Sequence, residues 1–285
     1  MKKLFREYLS MLKPLPIEGI PDLILFRPIA FVLVKVFSRF PVTPNQVSVT
    51  AMVTGIGSGV CFSRGTREGF FWAGLLYAAT AVIDCSDGML ARYKKNGSPV
   101  GRIVDGTIDY INGLAIFTGL GIGMSKMALM PQLYLWIVIV VAVISMAIHS
   151  ILVDYYRGQF CTHALNIRHS IKDEISLFSA ELQRLQGKNS QFLTKILIHL
   201  YLLYCRIQLK YAHKQVQYNS HNYYKANILL LRLWLMIELS MHICILCLSG
   251  ILYQPELFLG YTIVFANIWI ILIVPLQIRA NKKSL

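Results

Sequence analysis

Asp84, Asp87, Asp105 and Asp109 stand in the pattern D-x2-D-G-x2-A-R-x8-G-x3-D-x3-D, within two stretches that are otherwise apolar. Ionised groups at membrane depth are costly and mark function by default. The spacing is helical on both sides of the pattern. Asp84, Asp87, Gly88 and Ala91 fall at i, i+3, i+4 and i+7, and Gly101, Asp105 and Asp109 at i, i+4 and i+8. Each set therefore occupies one helix face. Asn96-Gly97-Ser98-Pro99 reads as a turn, so the second helix returns antiparallel and the two acidic faces meet. Four carboxylates in a dry cleft cannot all stay ionised without cations. An all-oxygen donor set suits a hard divalent ion such as Mg2+ or Mn2+. Two ions shared among such carboxylates are the usual device for displacement at phosphorus. Gly88, Ala91 and Gly101 leave small positions beside the acids, where a flat or phosphorylated ligand can come close.

The elements that must position these residues read as membrane helices. With 285 residues, 55% of them hydrophobic and 15% charged, the chain has the composition of an all-α integral membrane protein. Thr43 is a good N-cap and Pro44 a good first-turn residue, so the first span runs from there to Ser63. Its Gly55-x-x-x-Gly59 reads as packing glycines. Further spans are expected at Phe70–Arg92, Gly101–Met124, Pro131–Tyr155, Ala226–Ser249 and Leu257–Ile278, making six transmembrane helices. Six spans leave both termini on one side. The lysines and arginines agree: Arg64, Arg67 and Lys126 alone fall outside, Arg102 and Arg232 sit in helix ends, and the rest lie inside.

The expected organisation has four parts: 1–42, a cytoplasmic and interfacial segment; 43–155, the first four spans with the acidic motif; 156–225, a basic cytoplasmic insertion; and 226–285, the last two spans and a basic tail. Residues 23–40 are apolar but interrupted by Arg27, Pro28, Lys35 and Arg39, too short and charged for a core of about 30 Å. They read as an amphipathic helix lying in the interface. Within the insertion, Ile175, Phe178, Leu182 and Leu185 repeat at helical spacing over about 173–186. Phe192 to Tyr211 is more apolar, but Lys195, His199, Arg206 and Lys210 interrupt it, so the insertion reads as a helical hairpin and not a further span. No cleavable signal peptide is expected, because no small-residue cleavage site follows the first apolar stretch. The six cysteines, Cys244-x-x-Cys247 included, read as packing residues, since no second pair or histidine cluster completes a zinc site. A net charge of +14 without any nucleic-acid-binding motif points to anionic lipid head groups and not to nucleic acid.

The fixed positions of the acidic pattern resemble the signature of the CDP-alcohol phosphotransferase family, also called CDP-alcohol phosphatidyltransferases, and Thr43-Pro44-Asn45 is similar to a helix-start element there. The resemblance implies a membrane enzyme of phospholipid synthesis that displaces CMP from a CDP-linked alcohol with a second alcohol. It implies metal ligation by Asp84, Asp87 and Asp105, and general-base work by Asp109 with a further contact to one of two Mg2+ or Mn2+ ions. It also implies a CDP site built from Gly88, Ala91, Arg92 and Gly101.

The expected reaction moves a phosphatidyl group from CDP-diacylglycerol to a polyol or polyol phosphate, such as inositol phosphate or glycerol phosphate. Arg232, buried in a leucine-rich span, and Arg157, at the cytoplasmic end of the fourth, are candidate acceptor-binding residues. One alternative is a CDP-choline or CDP-ethanolamine transferase with a lipid acceptor. That branch is expected to carry Lys-Gln after the Asp-Gly, where Met89-Leu90 stands here. A membrane transporter or non-catalytic partner that uses the acidic helices for cation passage is the other; it has no need of Gly88, Ala91, Arg92 and Gly101 at those offsets. The expected setting is a bacterial inner membrane, with the site facing the cytoplasm and the protein a homodimer.

Overall fold

The computed structural model describes all residues except 1, 96, 98, 129, 168–170, 186–194, 197, 200, 204, 207–217 and 284–285. Among the described residues the regular structure is helical throughout. α1 (Lys2–Met11) leads through a short 3₁₀ turn, Leu15–Ile17, to a π-helical turn, Asp22–Phe26, that continues into α2 (Arg27–Phe37). α3 (Pro44–Ser63) and α4 (Arg67–Lys94) follow, then α5 (Pro99–Lys126), α6 (Gln132–His163) and α7 (Ile171–Arg184). α8 (Ser220–Trp234) and α9 (Leu239–Leu252) form one broken rod. The last rod, α10 (Pro255–Lys283), contains a π-helical stretch over Gly260–Phe265.

Five rods are long and apolar enough to cross a membrane: α3, α4, α6, α8 with α9, and α10. α5, expected as the third span, is 28 residues long but falls outside that set. Asp105, Asp109 and Asn112 occupy its N-terminal half and lower its apolarity. The expected fourth span is extended, since α6 continues past Tyr155 to His163. The expected helix at 173–186 is found as α7, whereas Phe192–Tyr211 lies partly outside the described residues. The π-helical turn and α2 together bury Phe26, Ala30 and Val34 against Ala81, Val82, Met89 and Leu90 of α4, and turn Ile24, Ile29, Val32 and Val36 outward.

The acidic helices are placed by glycine. A Cβ on Gly119 of α5 would lie 2.0 Å from the carbonyl oxygen of Gly59 in α3, and one on Gly123 would lie 2.1 Å from that of Phe62. Only a missing side chain allows backbones this close. At the other end of the same contact, Asn112 of α5 donates to the Ala51 carbonyl of α3 at 3.3 Å. α5 is thereby held flush along α3, which sets Asp105 and Asp109 opposite α4. α3 itself begins with a capping box: Gln46 N donates to Thr43 Oγ1, and Thr43 N donates to Gln46 Oε1 at 2.9 Å. His149 and His242 are buried, stacked 5.1 Å apart and bonded onward to Asn267 and Thr262, so His242 is a satisfied core residue.

Candidate active site

Asp84 and Asp87 of α4 and Asp105 of α5 each present a carboxylate oxygen, and the three oxygens lie within 4.8 Å of one another. Ser48, on the first turns of α3, donates its hydroxyl to Asp87. Asp105 keeps a buried Oδ1 with no hydrogen-bond partner. Three converging carboxylates with an orphaned oxygen fit a hard divalent cation, because a carboxylate buried among others needs positive charge to remain ionised. Asp109, a turn beyond Asp105, stands outside this close group and is more exposed.

Two cavities open on either side of the cluster. The first, of about 290 Å³, is lined by Thr43, Pro44 and Asn45 at the start of α3, then Ser48, then Asp87, Gly88 and Ala91 of α4, and Gly97, Gly101, Arg102 and Asp105 across the turn. Three of the four residues expected to bind CDP (Gly88, Ala91 and Gly101) thus line one cavity together with the Thr43-Pro44-Asn45 element. A Cβ on Gly88 would meet nothing nearer than the Arg92 guanidinium, 3.8 Å away, so this glycine gives space to the cavity and not to helix packing. The fourth expected residue, Arg92, lies beside Gly88 but outside the lining, and its Nε donates to the Met11 carbonyl at 2.5 Å. Two residues on, Lys94 donates to the Val42 carbonyl at 2.7 Å. Both cations fasten the N-terminal segment to the end of α4.

The second cavity, of about 350 Å³, holds Asp84 and Asp109 on one side and Lys13, Asp22, Arg27, Asp154, Arg157, Glu238 and Ser240 among its other walls. Its polar wall comes from parts of the chain far apart in sequence. The α8–α9 rod breaks at Leu235–Ile237, which leaves Glu238 extended at the N-cap of α9 and turned inward. Gly19 packs directly on this break: a Cβ there would lie 2.5 Å from Glu238 Oε2. Arg157 pairs with Glu238 at 2.6 Å and with Asp154 at 3.0 Å. Arg27 pairs with Glu18 at 3.1 Å, and Glu18 also accepts from the Lys13 backbone N–H at 2.8 Å. Burial raises the Asp22 carboxyl above the usual carboxylate range, with Arg27 pulling it back and Glu18 pushing it further up. Several groups remain unspent: Arg27 Nε, Arg157 Nε, Glu238 Oε2 and Ser240 Oγ are buried without a hydrogen-bond partner. Buried polar groups of this kind call for a ligand or water that carries both donors and acceptors.

Of the two expected acceptor residues, Arg157 lines this cavity and Arg232 does not. Arg232 donates to the carbonyls of Glu18 at 3.2 Å and Leu15 at 3.1 Å, so its charge is spent holding the 3₁₀ turn in place. Lys13, Asp22, Arg27, Asp154, Glu238 and Ser240 escape a reading of the sequence. For the charged ones the only signal is charge inside or beside apolar stretches, as with Arg27 and Glu238.

A family model described as CDP-alcohol phosphatidyltransferase matches residues 41–253. A Thermococcus kodakarensis protein named bifunctional IPC transferase and DIPP synthase is 29% identical over 124 residues, 43% of this chain and 26% of that protein. A Corynebacterium glutamicum phosphatidylinositol phosphate synthase is 30% identical over 97 residues, 34% of this chain and 42% of that protein. A Rubrobacter xylanophilus protein, also named bifunctional IPC transferase and DIPP synthase, is 32% identical over 84 residues, 29% of this chain and 18% of that protein. In each case the match spans less than half of the relative.

Proposed function

The chain belongs to the CDP-alcohol phosphatidyltransferase family, and from that premise we propose that it transfers a phosphatidyl group from CDP-diacylglycerol to a polyol or polyol phosphate and releases CMP. The observation that carries this reading is the position of the Asp84, Asp87 and Asp105 cluster between two cavities of different character. The cavity beside Gly88, Ala91 and Gly101 takes the nucleotide. The cavity beside Asp109 takes the acceptor.

Three features support the substrates. An entirely apolar groove of about 400 Å³ runs between Leu25, Phe26, Ile29 and Leu33 of the N-terminal segment and Ala78, Ala79, Val82 and Ile83 of α4. It ends next to Asp84 in sequence and suits the acyl chains of a diacylglycerol. The unspent donors and acceptors on Arg27, Arg157, Glu238 and Ser240 suit hydroxyls and phosphate, and would be poorly used by an acceptor whose reacting end carries one hydroxyl on an alkyl body. Finally, one relative bears phosphatidylinositol phosphate synthesis in its name, which makes inositol phosphate the first acceptor to test.

In this reading Asp84, Asp87 and Asp105 would hold two divalent cations, Mg2+ or Mn2+, with Asp109 as a further contact. Such ions would supply positive charge for the donor's phosphates and for the departing CMP. Ser48 orients the Asp87 carboxylate. Arg27, Arg157 and Lys13 bind and orient the acceptor. Asp109 accepts the proton of the acceptor hydroxyl as its oxygen bonds to the β-phosphorus, the one that carries the diacylglycerol; the bond from that phosphorus to the bridging oxygen breaks, and CMP leaves with the electron pair. α5 crosses the membrane as a sixth span, its acids facing α4, and the nucleotide cavity, with the basic segment between α6 and α8, faces the cytoplasm. The segment around α2 lies in the interface, and the enzyme works as a homodimer. Incubating the purified protein with CDP-diacylglycerol, Mg2+ or Mn2+ and a panel of alcohols, followed by lipid mass spectrometry, tests the substrates. A phosphatidyl polyol product supports the reading; product only from CDP-choline or CDP-ethanolamine with diacylglycerol overturns it.

A further inference from the structure

Arg102 is the one positive charge among the described residues that line the first cavity. It sits in the first turn of α5, next to Gly101, and its side chain is 54% exposed. Its guanidinium is gripped from outside the transmembrane bundle. Nη1 pairs with Glu174 of α7 at 2.8 Å, and the guanidinium carbon stands over the Phe178 ring, 5.3 Å from its centroid. Glu174 is itself bonded by the Tyr201 hydroxyl. Phe178 is buried in a small core with Leu185, Ile198 and Leu202, against which Ile103 of α5 packs. The amphipathic face of α7 packs on Ile198 and Leu202 and, through Ile103, reaches the start of α5, so that the helix presents one acid and one ring to Arg102.

A planar guanidinium stacked on a ring and held at one edge keeps its remaining N–H groups directed, and the order it would have to gain on meeting an anion is already supplied. We infer that α7 is a working part of the nucleotide site: through Glu174 and Phe178 it holds Arg102 over the first cavity as the contact for the phosphates of the CDP-linked donor. This rests on the assignment of that cavity to the nucleotide. It gives the segment between α6 and α8 a role in donor affinity, and makes Glu174 and Phe178 positioning residues acting through Arg102.

The test is a double-mutant cycle on the full-length protein, read by calorimetric binding of CDP in the presence of Mg2+ and by KM for CDP-diacylglycerol. Loss of a charge-assisted contact in Arg102→Ala should weaken CDP binding about ten- to a hundred-fold. Glu174→Gln removes a half-exposed pair and should raise the donor KM about two- to five-fold. Phe178→Leu should do the same. The acceptor KM should not move, and Arg102→Lys should restore part of the CDP affinity. With Arg102 already Ala, Glu174→Gln should have no further effect. Unfolding temperatures in detergent check that α7 remains docked. Gly88→Leu, which fills the cavity without touching Arg102's partners, separates the two claims. If Gly88→Leu abolishes CDP binding while folded Glu174→Gln and Phe178→Leu bind CDP as the wild type does, the role of α7 is wrong and the nucleotide cavity stands. If Gly88→Leu leaves CDP binding intact, the cavity assignment fails and the inference falls with it. Tighter CDP binding in Glu174→Gln, or additive effects in the cycle, also overturns it.

Discussion

Asp84 and Asp87, one helical turn apart on α4, open onto different cavities: Asp84 shares its cavity with Asp109 and Arg157, and Asp87 shares its own with Gly88, Gly101 and Arg102. Under the proposed function, a cluster that contributes to both walls would hold a phosphorus atom between an incoming and a departing oxygen. That is the arrangement an in-line displacement requires.

The carboxylate cluster should therefore be indispensable as a unit. Asp84→Asn, Asp87→Asn and Asp105→Asn are each expected to abolish CMP release, because losing one ligand leaves the remaining charges unbalanced. EDTA should stop turnover of the wild type, and added Mg2+ or Mn2+ should restore it. Radiolabelled CMP release from CDP-diacylglycerol measures both, and full activity in chelator would contradict the metal site.

The glycines should separate into two kinds. Gly119→Val places branched carbons where the Gly59 carbonyl already lies 2.0 Å from a Cβ. Overpacking of this kind costs about 1–3 kcal/mol or more, so the variant should unfold at lower temperature or fail to express. Gly88→Leu has room for its Cβ, stands on the wall of the first cavity and gains helix propensity of up to about 1 kcal/mol. It should keep its unfolding temperature and lose nucleotide binding. Equal thermal behaviour of the two variants would contradict the packing account.

The acceptor cavity should respond through Arg157. Arg157→Ala removes a cation held by Glu238 and Asp154 and leaves Glu238 buried and unpaired. It should raise the acceptor KM by about ten- to a hundred-fold, the loss expected for a hydrogen bond to a charged group, with little change in the donor KM. Arg232→Ala should instead act on stability, since its partners are the carbonyls of Leu15 and Glu18. Steady-state kinetics with each substrate varied in turn distinguishes them. A rise in donor KM for Arg157→Ala would place Arg157 on the wrong side of the cluster.

Much of the first cavity was legible because its residues lie within one helical hairpin. The i, i+3, i+4 and i, i+4, i+8 spacings carry Asp87, Gly88, Ala91, Gly101 and Asp105 to one cavity and Asp84 to the carboxylate cluster beside it, without knowledge of the rest of the fold, and Thr43-Pro44 announces the start of α3 by its capping chemistry. The second cavity was not legible. Arg157 meets Glu238 across 81 positions of sequence, and Lys13 and Arg27 arrive on a segment that docks on a helix break. No local pattern encodes such pairs. Arg92 and Arg232 have contacts that no local pattern encodes: one stands beside a motif and the other within an apolar span, and each is bonded to backbone carbonyls of the N-terminal segment. Gly101–Met124 reads as a span from the apolar run behind its acids, while Asp105, Asp109 and Asn112 keep the apolarity of α5 below that of the other five.

Asp109 carries the central claim, because it faces the acceptor cavity with Asp84 but stands outside the close group of three. The decisive measurement compares Asp109→Asn with Asp87→Asn for calorimetric binding of CDP with Mg2+ and for single-turnover CMP release. A general base contributes about two to four orders of magnitude to rate. Asp109→Asn should therefore lose turnover by that amount while binding CDP nearly as the wild type does, and Asp87→Asn should lose both. If Asp109→Asn loses nucleotide and metal binding as completely as Asp87→Asn, Asp109 is a ligand of the cluster and the division between a nucleotide side and an acceptor side is wrong.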